Sequence, residues 1–192
     1  AAPKLTPWVT ECYYLVQGVQ DGDYTVVHPI DVSRRFLTDL GEGVGQSTPV
    51  TESALWTRTL NPGFESRDFV TSFLPSPNLV AYNALARNFE GAKPRAKISW
   101  GPGRICYVYE KNGAPVAACW VFQTGPDFPI TLPDTISSTV IQDVYGNTTA
   151  SPGGVVTLGQ TPQYLLPPAG VTTANFIAAL QGAAPLVITS SP

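Results

Sequence analysis

Glu11 and Glu52 are the residues whose placement would matter most for chemistry. Glu11 follows Trp8-Val9-Thr10 on an extended run, and Glu52 opens a second such run that carries Trp56. Two carboxyl groups about 5–5.5 Å apart, or about 6.5–9.5 Å apart with a water between them, form the pair that hydrolyses glycosidic bonds. Set against this is the ordinary fate of a carboxylate at a strand end, which is to face water. Sugar contact would also need aromatic rings, and Trp8, Tyr13, Tyr14, Trp56, Trp100 and Trp120 each combine an apolar face with a polar tip. Of these, Trp8, Tyr14, Trp56 and Trp100 are the expected glycan-contacting set, with core packing as the competing use of the same rings.

Other chemistries find little support. His28 is the single histidine, so a Ser-His-Asp unit or a multi-histidine metal site has too few parts. There is no Cys-x-x-Cys pair, P-loop or dinucleotide fingerprint, and Gly101-Pro102-Gly103 reads as a turn. We therefore expect no cofactor and no metal. Asn147-Thr148-Thr149 matches the N-glycosylation pattern, although Tyr145-Gly146-Asn147 reads first as a tight turn.

The elements that must position these residues are mostly strands. Charged residues make up only 13% of the chain, while Gly (17) and Pro (19) are abundant, a balance that favours frequent turns over long helices. Extended runs lie near residues 8–16, 24–28, 54–60, 68–73, 96–100, 104–110, 115–122, 139–145, 155–158, 163–166 and 186–189. That spacing predicts a mainly β protein, an antiparallel β-sandwich with two or three short helices. The clearest helix spans 77–90. Ser76 is placed to cap it, Pro77 takes its first position and Gly91 ends it, and Leu79, Tyr82, Leu85, Ala86 and Phe89 form an apolar stripe. Shorter helices are expected at 33–40 and 173–180.

Asn112-Gly113 between two β-rich runs is the strongest hairpin signal. Counting outward from Lys111 opposite Ala114 pairs Glu110 with Pro115, Val108 with Ala117 and Cys106 with Cys119, all at non-hydrogen-bonded positions. At such a position the Cα atoms approach to about 4.5 Å, within reach of a disulfide. Two adjacent buried thiols are the alternative. The same register puts Tyr107, Tyr109, Val116 and Trp120 on one face, which is either interior or a binding stripe. Cys12 has no evident partner; it is read as core ahead of an intermolecular link or a reactive thiol, and neighbouring Glu11, which would raise its pKa, argues against a nucleophile.

The runs Leu79-Val80-Ala81-Tyr82-Asn83-Ala84-Leu85-Ala86-Arg87, Phe89-Glu90-Gly91-Ala92-Lys93-Pro94, Cys106-Tyr107-Val108-Tyr109-Glu110-Lys111-Asn112-Gly113 and Cys119-Trp120 resemble the end of secreted bacterial glycoside hydrolases. In those enzymes a last barrel helix passes into an accessory β-sandwich. Val144-Tyr145-Gly146-Asn147, Gly153-Gly154-Val155-Val156 and Gln163-Tyr164-Leu165 are similar to its closing strands, so the likeness covers about residues 78–166. Thr6-Pro7-Trp8-Val9-Thr10-Glu11 and Ala54-Leu55-Trp56-Thr57 resemble the seventh and eighth barrel strands. This implies a nucleophile's position for Glu11, although the preceding strands and their acid/base carboxylate are absent from this sequence.

These signals divide the chain into a strand-rich stretch (1–76), a helix and sandwich core (77–166) and a tail with a short helix and strand (167–192). The leading expectation is a non-catalytic sandwich module of a secreted carbohydrate-active protein, structural or glycan-contacting. A self-assembling extracellular subunit (surface layer, filament or shell) is the alternative, and a small retaining glycosidase using Glu11 is the third. The expected location is extracellular or at a cell surface, and the expected partners are carbohydrate or copies of the chain. A net charge of -3 with scattered Lys and Arg argues against nucleic acid, and no apolar run reaches the roughly 20 residues of a membrane helix. The start Ala1-Ala2-Pro3 and the lack of Met suggest trimming from a longer product.

Overall fold

The turn at Asn112 and Gly113 sets the register of the largest sheet. Both residues adopt positive φ, 53° and 80°, as a type I′ turn requires. A computed structural model of the protein describes residues 8–12, 29–49, 77–122 and 127–185. Strands expected at 24–28, 54–60, 68–73 and 186–189, and the end of the 8–16 run, lie outside the described residues, as does His28.

The described elements begin with β1 (Trp8–Cys12), α1 (Pro29–Gly41), β2 (Gln46–Pro49) and α2 (Pro77–Phe89). They continue through β3 (Lys93–Ser99), β4 (Arg104–Lys111), β5 (Ala114–Val121), β6 (Phe128–Thr131), β7 (Val140–Gln142) and β8 (Thr148–Ala150). The last are β9 (Val155–Leu158), β10 (Gln163–Leu166), α3 (Thr173–Gln181) and β11 (Ala184–Pro185). A six-stranded antiparallel sheet runs β3-β4-β5-β10-β7-β8, and a three-stranded one runs β11-β6-β9. β1 and β2 form a separate parallel pair outside the antiparallel sandwich sheets.

The hairpin pairs as counted, with Glu110 opposite Pro115, Val108 opposite Ala117 and Cys106 opposite Cys119. Alternation then divides the sheet into two faces. Ile98, Cys106, Val108, Ala117, Cys119, Val121 and Leu165 pack against Phe128, Ile130, Val156 and Leu158 of the smaller sheet and against Phe176 and Leu180 of α3. Tyr107, Tyr109, Val116, Ala118, Trp120 and Tyr164 pack against Leu37 of α1 and Ala81, Ala84, Leu85 and Phe89 of α2. The result is a β-rich sandwich of two sheets with a helical layer over the outer face of the larger one. α1 comes from the first of the three stretches of sequence and α3 from the last, and both pack on the sheet built by the middle one.

Local chemistry explains the helix limits. Pro29 and Pro77 each occupy a first helical position, where the missing N–H costs nothing; α1 thus starts four residues before the expected Ser33. Gly91 follows α2 with φ 72°, and the Thr172 side chain caps α3 by accepting from Asn175 N at 3.2 Å. On α2 the buried stripe is Ala81, Ala84, Leu85 and Phe89, while Tyr82 and Ala86 stand half-buried at its side.

One strand expectation needs revision, and four short strands, β2, β6, β8 and β11, were not expected. The run at 139–145 shortens to β7 because Asp143 turns the chain, its Oδ1 accepting from Tyr145 N and Asn147 N at 2.9 Å each. β6 carries Pro129 between two paired neighbours, and a proline inside a strand masks the sequence signal.

Candidate functional site

The helical layer is where side chains that could contact a ligand meet. α1 lies over β4 through two phenols. Tyr109 OH donates to Leu37 O at 2.6 Å, and Tyr107 OH donates to Glu42 Oε1 at 2.6 Å. Lys97 on β3, paired in register with Tyr107, donates to the same oxygen at 2.5 Å. Its ammonium also sits 5.4 Å from the centre of the Tyr107 ring.

This trio combines an acid, an amine and a phenol, and its electrostatics fit a clasp better than a catalyst. Hydrogen bonds from Lys97 and then from Tyr107 hold the Glu42 carboxyl below its ordinary range. Burial, and then the bond to Glu42, push the Tyr107 phenol up to about 12. The Lys97 ammonium is held charged by its bond to Glu42. A general acid or base works best with a pKa near the operating pH, and all three groups are moved away from neutrality. The trio fastens the end of α1 to the sheet.

Beside it, α1 and α2 leave a groove of about 590 Å³ between them. Leu37, Leu85 and Phe89 form its buried floor, and the half-buried rings of Phe36 and Tyr82 form its wall. Those two rings meet edge to face with centroids 5.7 Å apart, a favourable aromatic geometry. Glu90 stands exposed at the end of α2, and exposed Gly45 and Gly91 also line the groove. The volume is in the range of small-ligand sites. A second, more open shelf of about 750 Å³ involves Arg95, Glu110, Thr172 and Thr173. There Glu110 is already engaged, accepting from Arg95 Nη2 and Thr173 Oγ1 at 2.7 Å each.

The expected site residues divide as follows. Trp8 and Glu11 lie on β1, where backbone and register are described and side chains are not. Glu52, Tyr14 and Trp56 lie outside the described residues. Trp100 is half-buried, and its Nε1 donates to Leu180 O at 3.1 Å, so the indole satisfies a carbonyl of the last turn of α3. The hairpin stripe is interior: Tyr107, Tyr109 and Trp120 are buried beneath the helices. Cys106 and Cys119, both fully buried, lie at disulfide-bonding distance with Cα atoms 4.0 Å apart. Among the described residues no group of three or more His, Cys, Asp or Glu could hold a metal ion, and no helix is long and apolar enough to cross a membrane.

Sequence reasoning missed the Glu42–Lys97–Tyr107 trio because its members are far apart in the chain. It also missed Phe36 and Tyr82 as a pair. The available signal was on the expected helices, where these two rings widen an apolar stripe beyond what one buried face requires. The chain matches no protein family, no curated protein and no solved structure.

Proposed function

We propose that the chain acts by contact rather than by turnover, as a non-catalytic β-sandwich module of an exported carbohydrate-active protein that touches saccharide through the groove between α1 and α2. The observation that carries this reading is the pair of half-buried rings, Phe36 and Tyr82, above an apolar floor with the exposed carboxylate of Glu90 at the end. A sugar ring has apolar C–H faces that stack on an aromatic ring and hydroxyls that donate to a carboxylate. Tyr107, Tyr109, Trp120 and Tyr164 of the sheet are buried, whereas the rings of Phe36 and Tyr82 in this groove keep partial exposure. Export is supported by Cys106 and Cys119 at bonding distance, since disulfides persist in oxidising compartments.

A glycan array probed with the wild type and with Phe36→Ala/Tyr82→Ala tests the reading. Selective binding that the double variant loses is expected; an array without a hit overturns it.

The second reading, a self-assembling subunit, is favoured by Phe122, which is 59% exposed at the end of β5. Large regular particles in light scattering, dispersed by Phe122→Ser, would support it over the first. The edge strand β3 works against it, because Lys93, Pro94, Arg95 and Lys97 are residues that discourage edge-to-edge pairing. A glycosidase would instead release reducing ends from a polysaccharide and lose that activity on Glu11→Gln.

A further inference from the structure

The two edges of the six-stranded sheet are defended unequally. β3 carries three cations and a proline, whereas β8, the opposite edge, is Thr148–Ala150 with no charge and no proline. Among the described residues no strand pairs with the far side of β8; an uncharged edge of this kind invites pairing with another chain, and the shortness of β8 is the protection its own residues supply. β8 begins immediately after Asn147 within Asn147-Thr148-Thr149, and all three residues are exposed. Tyr145, two residues before Asn147, is a large apolar side chain with 38% exposure. The turn between them is rigidly built. Asp143 Oδ1 accepts from Tyr145 N and Asn147 N at 2.9 Å, Asp143 Oδ2 accepts from Asn147 Nδ2 at 2.8 Å, and Asp143 N donates to Asn147 O at 2.9 Å.

We propose that Asn147 is an N-glycan acceptor, and that its glycan packs its first sugar on Tyr145 and shields the β8 edge. In the transfer, Asn147 Nδ2 bonds to the anomeric carbon of a lipid-pyrophosphate-linked oligosaccharide. The bond from that carbon to the pyrophosphate oxygen breaks, the lipid pyrophosphate leaves with the electron pair, and one amide proton is released; nothing is oxidised or reduced. A side-chain amide has two N–H groups, so the glycosylated nitrogen keeps one with which to donate to Asp143. Where the N–H that is kept is the one aimed at Asp143, the product retains that hydrogen bond. The modification needs passage through a secretory compartment, the condition under which Cys106 and Cys119 would also be joined.

The test is to send the full chain through the secretory pathway of a eukaryotic host and map it by mass before and after removal of N-glycans. A glycan on Asn147 that disappears in Thr149→Ala is expected. Secreted protein with the Cys106–Cys119 bond formed and Asn147 bare overturns the inference while leaving the export reading intact. Protein made in a host that lacks N-glycosylation, so that Asn147 stays Asn, should have a folding constant about fivefold lower than the glycosylated wild type, the scale of one aromatic stacking contact, while the two forms of Tyr145→Ala should be equal. Equal losses in both proteins would overturn the stacking role of Tyr145. Unglycosylated protein should also self-associate more readily than glycosylated protein, and unchanged association would overturn the shielding of β8.

Discussion

At the scale of single residues, the side chains that matter most to the helical layer are small or phenolic. Gly41 ends α1 directly on the Tyr107 ring, where an added Cβ would stand 2.3 Å from Cδ1. Because ring and helix are both held, Gly41→Ala is expected to cost about 1–3 kcal/mol, read as a lower urea midpoint at unchanged slope. Tyr107 also gives the fold an alkaline limit. Its phenol is raised from 10.0 to about 12, so below pH 10 both folded and unfolded chains keep the proton and the full contribution is present. Between those values only the unfolded chain ionises, and stability falls as pH rises. Burial raises Tyr109 and Tyr164 in the same direction. The share of phenolate absorbance that Tyr107→Phe removes should therefore appear together with unfolding, and the same variant should make the alkaline loss shallower. Glu42 acts at the other end. Its carboxyl is lowered from 4.5, so its contribution is present above that pH and lost as pH falls below it; both partners in its ion pair are exposed and screened by salt. Of these residues, the sequence pointed to Tyr107 and Tyr109 as sharing a face, because alternation along a strand needs no tertiary information. Glu42 and Lys97 were illegible, since only the approach of α1 to β3 brings them together.

At the scale of elements, the β4–β5 hairpin was the most legible part of the chain, because a two-residue Asn-Gly turn specifies its own register. Helix α2 was also readable, with proline, an apolar stripe and glycine at the expected places, and so were β9 and β10. What escaped were elements whose formation depends on a neighbour: β6 with its internal Pro129, the three-residue β8, the two-residue β11, and β2, which pairs with distant β1. The register places Cys106 and Cys119 across the sheet in the interior, 13 residues apart in sequence. Closing a loop of that length is worth roughly 3 kcal/mol by chain entropy. Cys106→Ala/Cys119→Ala should lose about 2–4 kcal/mol in a denaturant titration. As both sulfurs are buried, dithiothreitol should leave the bond intact in native buffer and open it only when denaturant unfolds the hairpin. Ready reduction of the native protein would mean that this end of the sheet opens locally.

At the scale of the whole molecule, layering decides which chemistry reaches the surface. The aromatic face of the larger sheet could have been a binding stripe, and the packing of α1 and α2 over it turns that face into core. The same packing creates the groove, whose half-buried rings belong to the helices. The sandwich could thus be anticipated from strand spacing and turn residues. The groove could not, because it depends on how two helices more than thirty residues apart in sequence lie side by side. Contact at this groove is the central claim, and calorimetric titration tests it most directly. Oligosaccharides are titrated into the full chain and into Tyr82→Ala, and the sugar is recovered afterwards for analysis. Saturable one-to-one binding is expected with the sugar returned uncleaved, weakened about fivefold in the variant, equivalent to ~1 kcal/mol of aromatic contact. Equal affinity in the two proteins, or sugar returned cleaved, would contradict it.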